Sequence, residues 1–275
     1  MSFVEAIVLG IVQGLTEFLP ISSTGHLRVV PALLGWDDPG TAFSAVTQLG
    51  TALAVVLFFW RDLWRVAGTW LRSLRDAELR STLDARMGWY LILATVPISV
   101  FGLAFKDQIE TGARNLWLIG STLILLGLVL LAAERVGRRT RTLDDVDTRS
   151  AVVVGFSQAL ALVPGVSRSG ATISAGLFLG FTREAAARFS FLLSIPAVVL
   201  SAVVTLPDIG AGDGPGPAQT AVATLLAFVV GYASIAWLLR WLTSHSTVVF
   251  VVYRVALGSL VLVLVATGVL EATGS

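Results

Sequence analysis

Read for hydropathy, the chain is a series of long apolar runs separated by short charged connections. Six runs, at residues 41–60, 87–105, 116–133, 186–206, 220–239 and 248–270, have the length and apolarity of transmembrane helices. A helix of about 20 residues crosses a hydrocarbon core of about 30 Å. Two further stretches, 1–36 and 151–181, are apolar at both ends and polar in the middle. The polar middle of the first runs from Gln13 to His26 and holds an amide, a carboxylate, two serines, a threonine and an imidazole; that of the second is Pro164 to Thr172. Ionisable groups at membrane depth are costly and persist where they face a protein interior or a water-filled cavity, so both stretches are candidate sites.

Composition agrees: 55% of the 275 residues are hydrophobic and 13% are charged. Such a balance belongs to an integral membrane protein. No secretory signal is expected, since the first ten residues carry Glu5 and no basic residue. With no cysteine, disulfides, thiolate metal sites and thioester chemistry are excluded. The eight tryptophans are expected at span ends as interfacial anchors.

The net charge of +1 matters less than its distribution. The connection 61–86 holds six arginines and 135–149 five, and Arg183, Arg188 and Arg240 bring the set to fourteen. The opposite connections hold Lys106 and Arg114 beside Asp37, Asp38, Asp107, Glu110, Asp208 and Asp213, with a Gly/Pro-rich turn at 207–217. The positive-inside rule puts the fourteen in the cytoplasm. Their roles are topology and attraction of anionic lipid, with no need of nucleic acid.

If 41–60 then runs inward, 1–36 must begin and end outside; if 116–133 ends inside and 186–206 starts there, 151–181 must enter and leave from the cytoplasm. The expected fold is therefore an all-α polytopic membrane protein, with six full transmembrane helices and two re-entrant helix-loop-helix hairpins. Both termini lie outside. Irregular backbone at that depth is tolerated only inside protein or along a cavity.

The chain also repeats itself. At an offset of 145, Gly10, Gln13, Leu15, Ser22, Gly25 and Leu34-Gly35 match Gly155, Gln158, Leu160, Ser167, Gly170 and Leu179-Gly180; Phe43-Ser44 matches Phe189-Ser190 one residue later. A first repeat, 1–115, and a second, 150–275, of opposite orientation are predicted, joined by the basic connection 135–149. Inverted repeats bring broken helices and ligand sites together near the midplane. The two polar tips are thus expected to meet.

Gln13 and Glu17 are four apart and share a helix face. Ser22, Ser23 and Thr24 follow, then Gly25 at the turn and His26 on the second arm. On the other tip Ser167, Arg168, Ser169 and Thr172 stand where a helix begins. Free N–H groups at helix starts favour anions, and a guanidinium fork holds two phosphate oxygens. The pattern is a phosphate cradle, to which Glu17 adds a ligand for Mg²⁺ or Ca²⁺ or a proton acceptor. Arg254, a turn or two into the last span, is expected to snorkel or to pair structurally. No Walker-type loop or metalloprotease motif is present.

These residues closely resemble the undecaprenyl pyrophosphate phosphatase, or bacitracin-resistance, family. Its first signature corresponds to Gln13, Glu17 and Ser22 to His26, its second to Pro164 to Thr172, and the likeness extends to Tyr253-Arg254. The resemblance implies hydrolysis of undecaprenyl diphosphate with a divalent cation, at a site open to the outer face of the bacterial cytoplasmic membrane, in contact with membrane lipid. It implies a functional set of Glu17, Ser23, His26 and Arg168, supported by Gln13, Ser22, Thr24, Ser167, Ser169 and Thr172, with Glu17 and Gln13 toward the metal. Many relatives have a carboxylate at the position of Gln13, which leaves Glu17 as the one acidic ligand. Ser23 could attack with His26 as base, or a water activated by the cation could attack with Ser23 orienting phosphate. A lipid-phosphate transporter using the same inverted-repeat site is the alternative function, and association into a homodimer stays open.

Overall fold

The computed structural model describes residues 1–105, 108–109, 114–205 and 216–273 of the chain. Lys106, Asp107, Glu110, Asp208, Asp213 and the turn at 207–215 lie outside the described residues.

Eleven α-helices are formed among the described residues, and no β-strand beyond an isolated bridge between Arg141 and Phe181. They are α1 (Phe3–Phe18), α2 (Ser23–Leu34), α3 (Gly40–Phe58), α4 (Trp60–Ser73), α5 (Leu83–Ala104), α6 (Leu116–Val136), α7 (Thr148–Ala159), α8 (Arg168–Phe178), α9 (Arg183–Thr205), α10 (Pro217–Leu242) and α11 (Val248–Ala266). Five of them, α3, α5, α6, α10 and α11, are long and apolar enough to cross a membrane, so the chain is a multi-pass membrane protein. Helix α9 occupies the remaining predicted run; its 23 residues span about 34 Å at 1.5 Å per residue. The polar-centred stretches fold as helix pairs, α1–α2 and α7–α8, whose arms of 11 to 16 residues reach about 16 to 24 Å.

Connection 61–86 is not a plain loop. Trp60 to Leu74 repeats apolar residues at helical spacing, so α4 forms and packs on α5, with the Trp70 side chain over Gly88. Trp64 and Trp70 therefore sit on α4 and not at the ends of spans, and Trp64 is 82% exposed.

Small residues let the long helices close on one another, as they do where lipid gives no hydrophobic drive for association. A Cβ added at Gly10 of α1 would come within 2.5 Å of the Ala223 carbonyl oxygen on α10, and one at Gly155 of α7 within 2.7 Å of Ala94 on α5. Gly120 and Gly258 bring α6 and α11 equally near: a Cβ at Gly258 would lie 2.7 Å from the Gly120 carbonyl oxygen.

Polar contacts gather at two ends. At one, Asp38, after α2, pairs with Arg28 and with Arg114, before α6. The Leu116 amide there donates to the Ala272 carbonyl at 2.8 Å. At the other, Glu134 near the end of α6 binds Arg139, Arg183 at the start of α9, and the Thr247 hydroxyl before α11. The Thr140 and Arg141 amides there donate to Gly180 just past α8, and Arg188 reaches Asp62.

Candidate active site

The two turns have one construction. Ser22, between α1 and α2, and Ser167, before α8, both have positive φ, at 76° and 70°. Such backbone is disfavoured for a residue with a Cβ by on the order of 1–3 kcal/mol and is held only by surrounding structure. Each serine caps the helix it precedes: Ser22 Oγ accepts from the Gly25 amide at 3.3 Å and Ser167 Oγ from the Gly170 amide at 3.1 Å. Two helix starts are thereby aimed from the two turns.

The turns touch. Arg168 Nη2 lies 2.5 Å from Glu17 Oε1, and Ser169 Oγ donates to the Leu19 carbonyl at 3.0 Å. Glu17 is almost buried and collects donors from several sides. Ser23 Oγ donates to Oε2 at 2.7 Å, Gln13 Nε2 to the same oxygen at 3.0 Å, and Gln48 Nε2 of α3 reaches Oε1 at 3.5 Å. The i, i+4 spacing of Gln13 and Glu17 thus appears as a direct bond. Gln48 was not singled out from sequence; an amide on a face of a span was the only available signal.

His26 stands differently from expectation. Its Nδ1 is 2.6 Å from the Ser22 carbonyl oxygen, which can only accept, so Nδ1 carries the hydrogen. Nε2 then accepts from Tyr253 Oη at 2.6 Å, and the two rings lie parallel with centroids 5.5 Å apart. Both ring nitrogens are engaged, and the group bonded to the Ser23 hydroxyl is Glu17. The pairing of Ser23 with a His26 base is therefore not the hydrogen-bonded arrangement here. Tyr253, half exposed on α11, is a residue that sequence reasoning left without a role.

The supporting hydroxyls divide. Ser23 is partly exposed and Thr24 exposed. Ser167 and Ser169 bond each other at 3.1 Å, and Thr172 donates to the Arg168 carbonyl at 2.7 Å while meeting Ser190 Oγ at 2.6 Å. These three lie buried and knit the second turn together. The repeat preserves backbone more than chemistry. Gln158, the counterpart of Gln13, is fully buried, and its amide has no hydrogen-bond partner among the described residues.

Arg254 neither snorkels nor meets a carboxylate in its hydrogen bonds. It is fully buried and bonds to five backbone carbonyls, three in the two turns and two on α6.

No cluster of three or more His, Cys, Asp or Glu side chains is present among the described residues. Around Glu17 stand two amide N–H groups, a hydroxyl and a guanidinium, so its carboxylate is the one anionic oxygen group of the cluster, and a hard cation held there would have to displace Arg168 and take the rest of its shell from phosphate and water. Mg²⁺ commonly binds through one or two carboxylates plus substrate phosphates.

Residues 6–260 match the family model described as bacitracin resistance protein BacA. The chain is similar to an undecaprenyl-diphosphatase of Nocardioides sp. (strain ATCC BAA-499 / JS614), 58% identical over 275 residues that cover 99% of this chain and 100% of the relative. The undecaprenyl-diphosphatase of Mycolicibacterium smegmatis is 55% identical over 276 residues, covering 99% and 100%. That of Thermobifida fusca is 53% identical over 270 residues, covering 98% and 92%.

Proposed function

The chain belongs to the bacitracin resistance protein BacA family, and on that premise we infer that it is an undecaprenyl-diphosphatase. It hydrolyses undecaprenyl diphosphate to undecaprenyl phosphate and inorganic phosphate, which returns the lipid carrier to peptidoglycan synthesis and gives resistance to bacitracin. The observation that carries the reading to particular residues is the meeting of Ser23, Glu17 and Arg168 between two helix starts.

Phosphoryl transfer asks a protein mainly for positioning and neutralisation of charge. When the diphosphate enters, Arg168 exchanges its Glu17 partner for the terminal phosphate, and the free amides at the starts of α2 and α8 take further oxygens. Ser23 Oγ attacks the terminal phosphorus and passes its proton to Glu17 Oε2, to which it is already bonded at 2.7 Å. The bond from that phosphorus to the bridging oxygen breaks, and undecaprenyl phosphate leaves with the bond's electrons. With the first proton released to solvent, Glu17 takes a proton from water as the water attacks that phosphorus; the bond to Ser23 Oγ breaks, inorganic phosphate leaves, and Ser23 Oγ takes the proton back from Glu17. His26 holds the Ser22 carbonyl and so the turn that aims Ser23, while Tyr253 fixes the imidazole from its other side.

Glu17 and the amide oxygen of Gln13 would hold the divalent cation, Mg²⁺ or Ca²⁺, together with the diphosphate. To do so Gln13 would give up its bond to Glu17 Oε2 and turn its amide by half a rotation, so that the cation lies between the two oxygens. When bound, the cation supplies charge neutralisation on the phosphate oxygens.

The finer architecture belongs to the same proposal. Helix α9 is the sixth crossing, α1–α2 and α7–α8 are re-entrant hairpins, and the halves are inverted repeats. Support comes from the paired positive-φ serines and from each first arm packing on a span of the other half, α1 on α10 and α7 on α5. The Arg-rich end faces the cytoplasm, and the site and both termini face outward across the cytoplasmic membrane. Single cysteines at Ser2 and Arg75 test this: an impermeant maleimide on intact cells should label the first and spare the second. A homodimer is carried into the proposal as well, and a protein mass of twice 29.1 kDa in the detergent complex is its check.

The deciding assay is phosphate release from a polyprenyl diphosphate in detergent, where transport cannot contribute, with and without chelator. Wild type should turn over and Arg168→Ala should not; equal activity in both would refute the site. Undiminished activity in chelator would remove the cation.

A further inference from the structure

We propose that Arg254 is a positioning residue that keeps the two turns in register, acting on the reaction through their backbone carbonyls and never touching substrate. The guanidinium lies within α11, fully buried. Nη1 donates to the Pro20 carbonyl at 3.1 Å, in the first turn; Nη2 donates to the Gly165 and Val166 carbonyls, each at 3.1 Å, in the second. Nε reaches the Leu123 carbonyl at 3.1 Å and Nη2 the Thr122 carbonyl at 3.3 Å, both on α6. One side chain thus joins three segments that are more than 40 residues apart in sequence.

The chemistry explains why arginine stands here. The irregular turns free carbonyls that no helix satisfies, and inside a membrane protein those groups need donors. A planar fork of five N–H groups reaches acceptors on several sides at once, whereas an ammonium offers three donors from a single point. The acceptors are all carbonyls, so the charge is met by dipoles. Space is kept for it: a Cβ added at Gly170 would sit 3.0 Å from Nη1. Thr122 makes a parallel tie, its hydroxyl donating to the Pro164 carbonyl at 2.7 Å.

Pro20 lies two residues before Ser22, and Val166 immediately precedes Ser167. The tied carbonyls therefore belong to the peptides that set the direction of the two strained caps, and through them of Ser23 and Arg168. Loosening the tie lets the nucleophile and the phosphate grip drift apart while the spans stay packed.

The inference rests on the phosphatase reading, and the test separates the two. Arg254→Lys keeps the charge and loses the fork; Val261→Ala, on the same helix and also fully buried, removes packing but none of the five hydrogen bonds. Each is made in a background with nitroxide labels on cysteines at Leu15 and Val163, both exposed; the natural chain contributes no cysteine of its own. Phosphate release, melting in detergent and the label separation are measured. For Arg254→Lys, kcat should fall about 100-fold, the cost of roughly an ångström of misplacement, with KM little changed and the label distances shifted or broadened. Val261→Ala should retain kcat and the narrow separation, even if it melts as early.

Wild-type kcat in Arg254→Lys, unchanged label distances, or an equal kcat loss in Val261→Ala would overturn the proposal. Failure of Arg254→Lys to fold would overturn it too, since the residue would then serve global stability. If the wild type releases no phosphate, the phosphatase reading fails, and the label separation alone still decides the tie.

Discussion

Replacing Glu17 by glutamine separates its electrostatic role from its shape. The amide can still accept from Arg168 through its oxygen, and Gln13 can flip to suit the new NH₂, so the hydrogen-bond geometry is kept and the charge is lost. Arg168, whose side chain is 14% exposed against 6% for Glu17, is then left largely buried without a counter-charge. Breaking one side of a buried pair costs about 3–5 kcal/mol, and the partial exposure of Arg168 places the expected loss near the bottom of that range, about 3 kcal/mol. Activity falls separately, because Ser23 loses its proton acceptor; general-base contributions run to about 10²–10⁴-fold. The double variant Glu17→Gln/Arg168→Met should recover most of the stability, since no unpaired charge remains, and none of the activity. Thermal melting followed by tryptophan fluorescence and phosphate release in detergent give the two readouts, and a double-mutant cycle gives the coupling. A Glu17→Gln protein as stable as wild type, or a double variant no more stable than the single, would refute the buried pair as the join between the turns.

Other consequences follow from single contacts. Ser23→Ala should lower kcat by about 10²–10⁴-fold with little change in melting, and a quenched reaction should trap labelled phosphate on Ser23 in the wild type only; full activity in the variant would remove Ser23 as nucleophile. Tyr253→Phe deletes the donor to His26 Nε2 and should cost about 0.5–1.5 kcal/mol of stability, with a drop in kcat smaller than that of Ser23→Ala; a larger drop would mean that the phenol acts on substrate itself. Gly258→Val forces a side chain against the Gly120 carbonyl and should destabilise the α6–α11 contact by about 1–3 kcal/mol, read as a lower melting temperature.

Much of the fold was legible along the chain, because a bilayer imposes a length and an apolarity that a run of residues either has or lacks. Each of the six predicted runs coincides with a helix, their ends shifted by at most four residues among those described. Helix α4 is the exception, because the arginines of 61–86 mask a helical stripe of Trp60, Trp64, Leu71 and Leu74 in a stretch too polar to read as a span. Within the site, the polar islands themselves announced which residues would gather.

Their partners could not be read the same way. That Ser23 bonds Glu17, that His26 is engaged by Ser22 and Tyr253, and that Arg254 is enclosed by carbonyls are matters of which side chain turns toward which across 6, 227 or 234 positions. Sequence spacing orders contacts only within a helix turn or so. Which groups would stand in the apolar interior was therefore decided by composition and period, while which of them would bond was decided by packing, because buried polar atoms take the partners that neighbouring helices bring within about 3 Å.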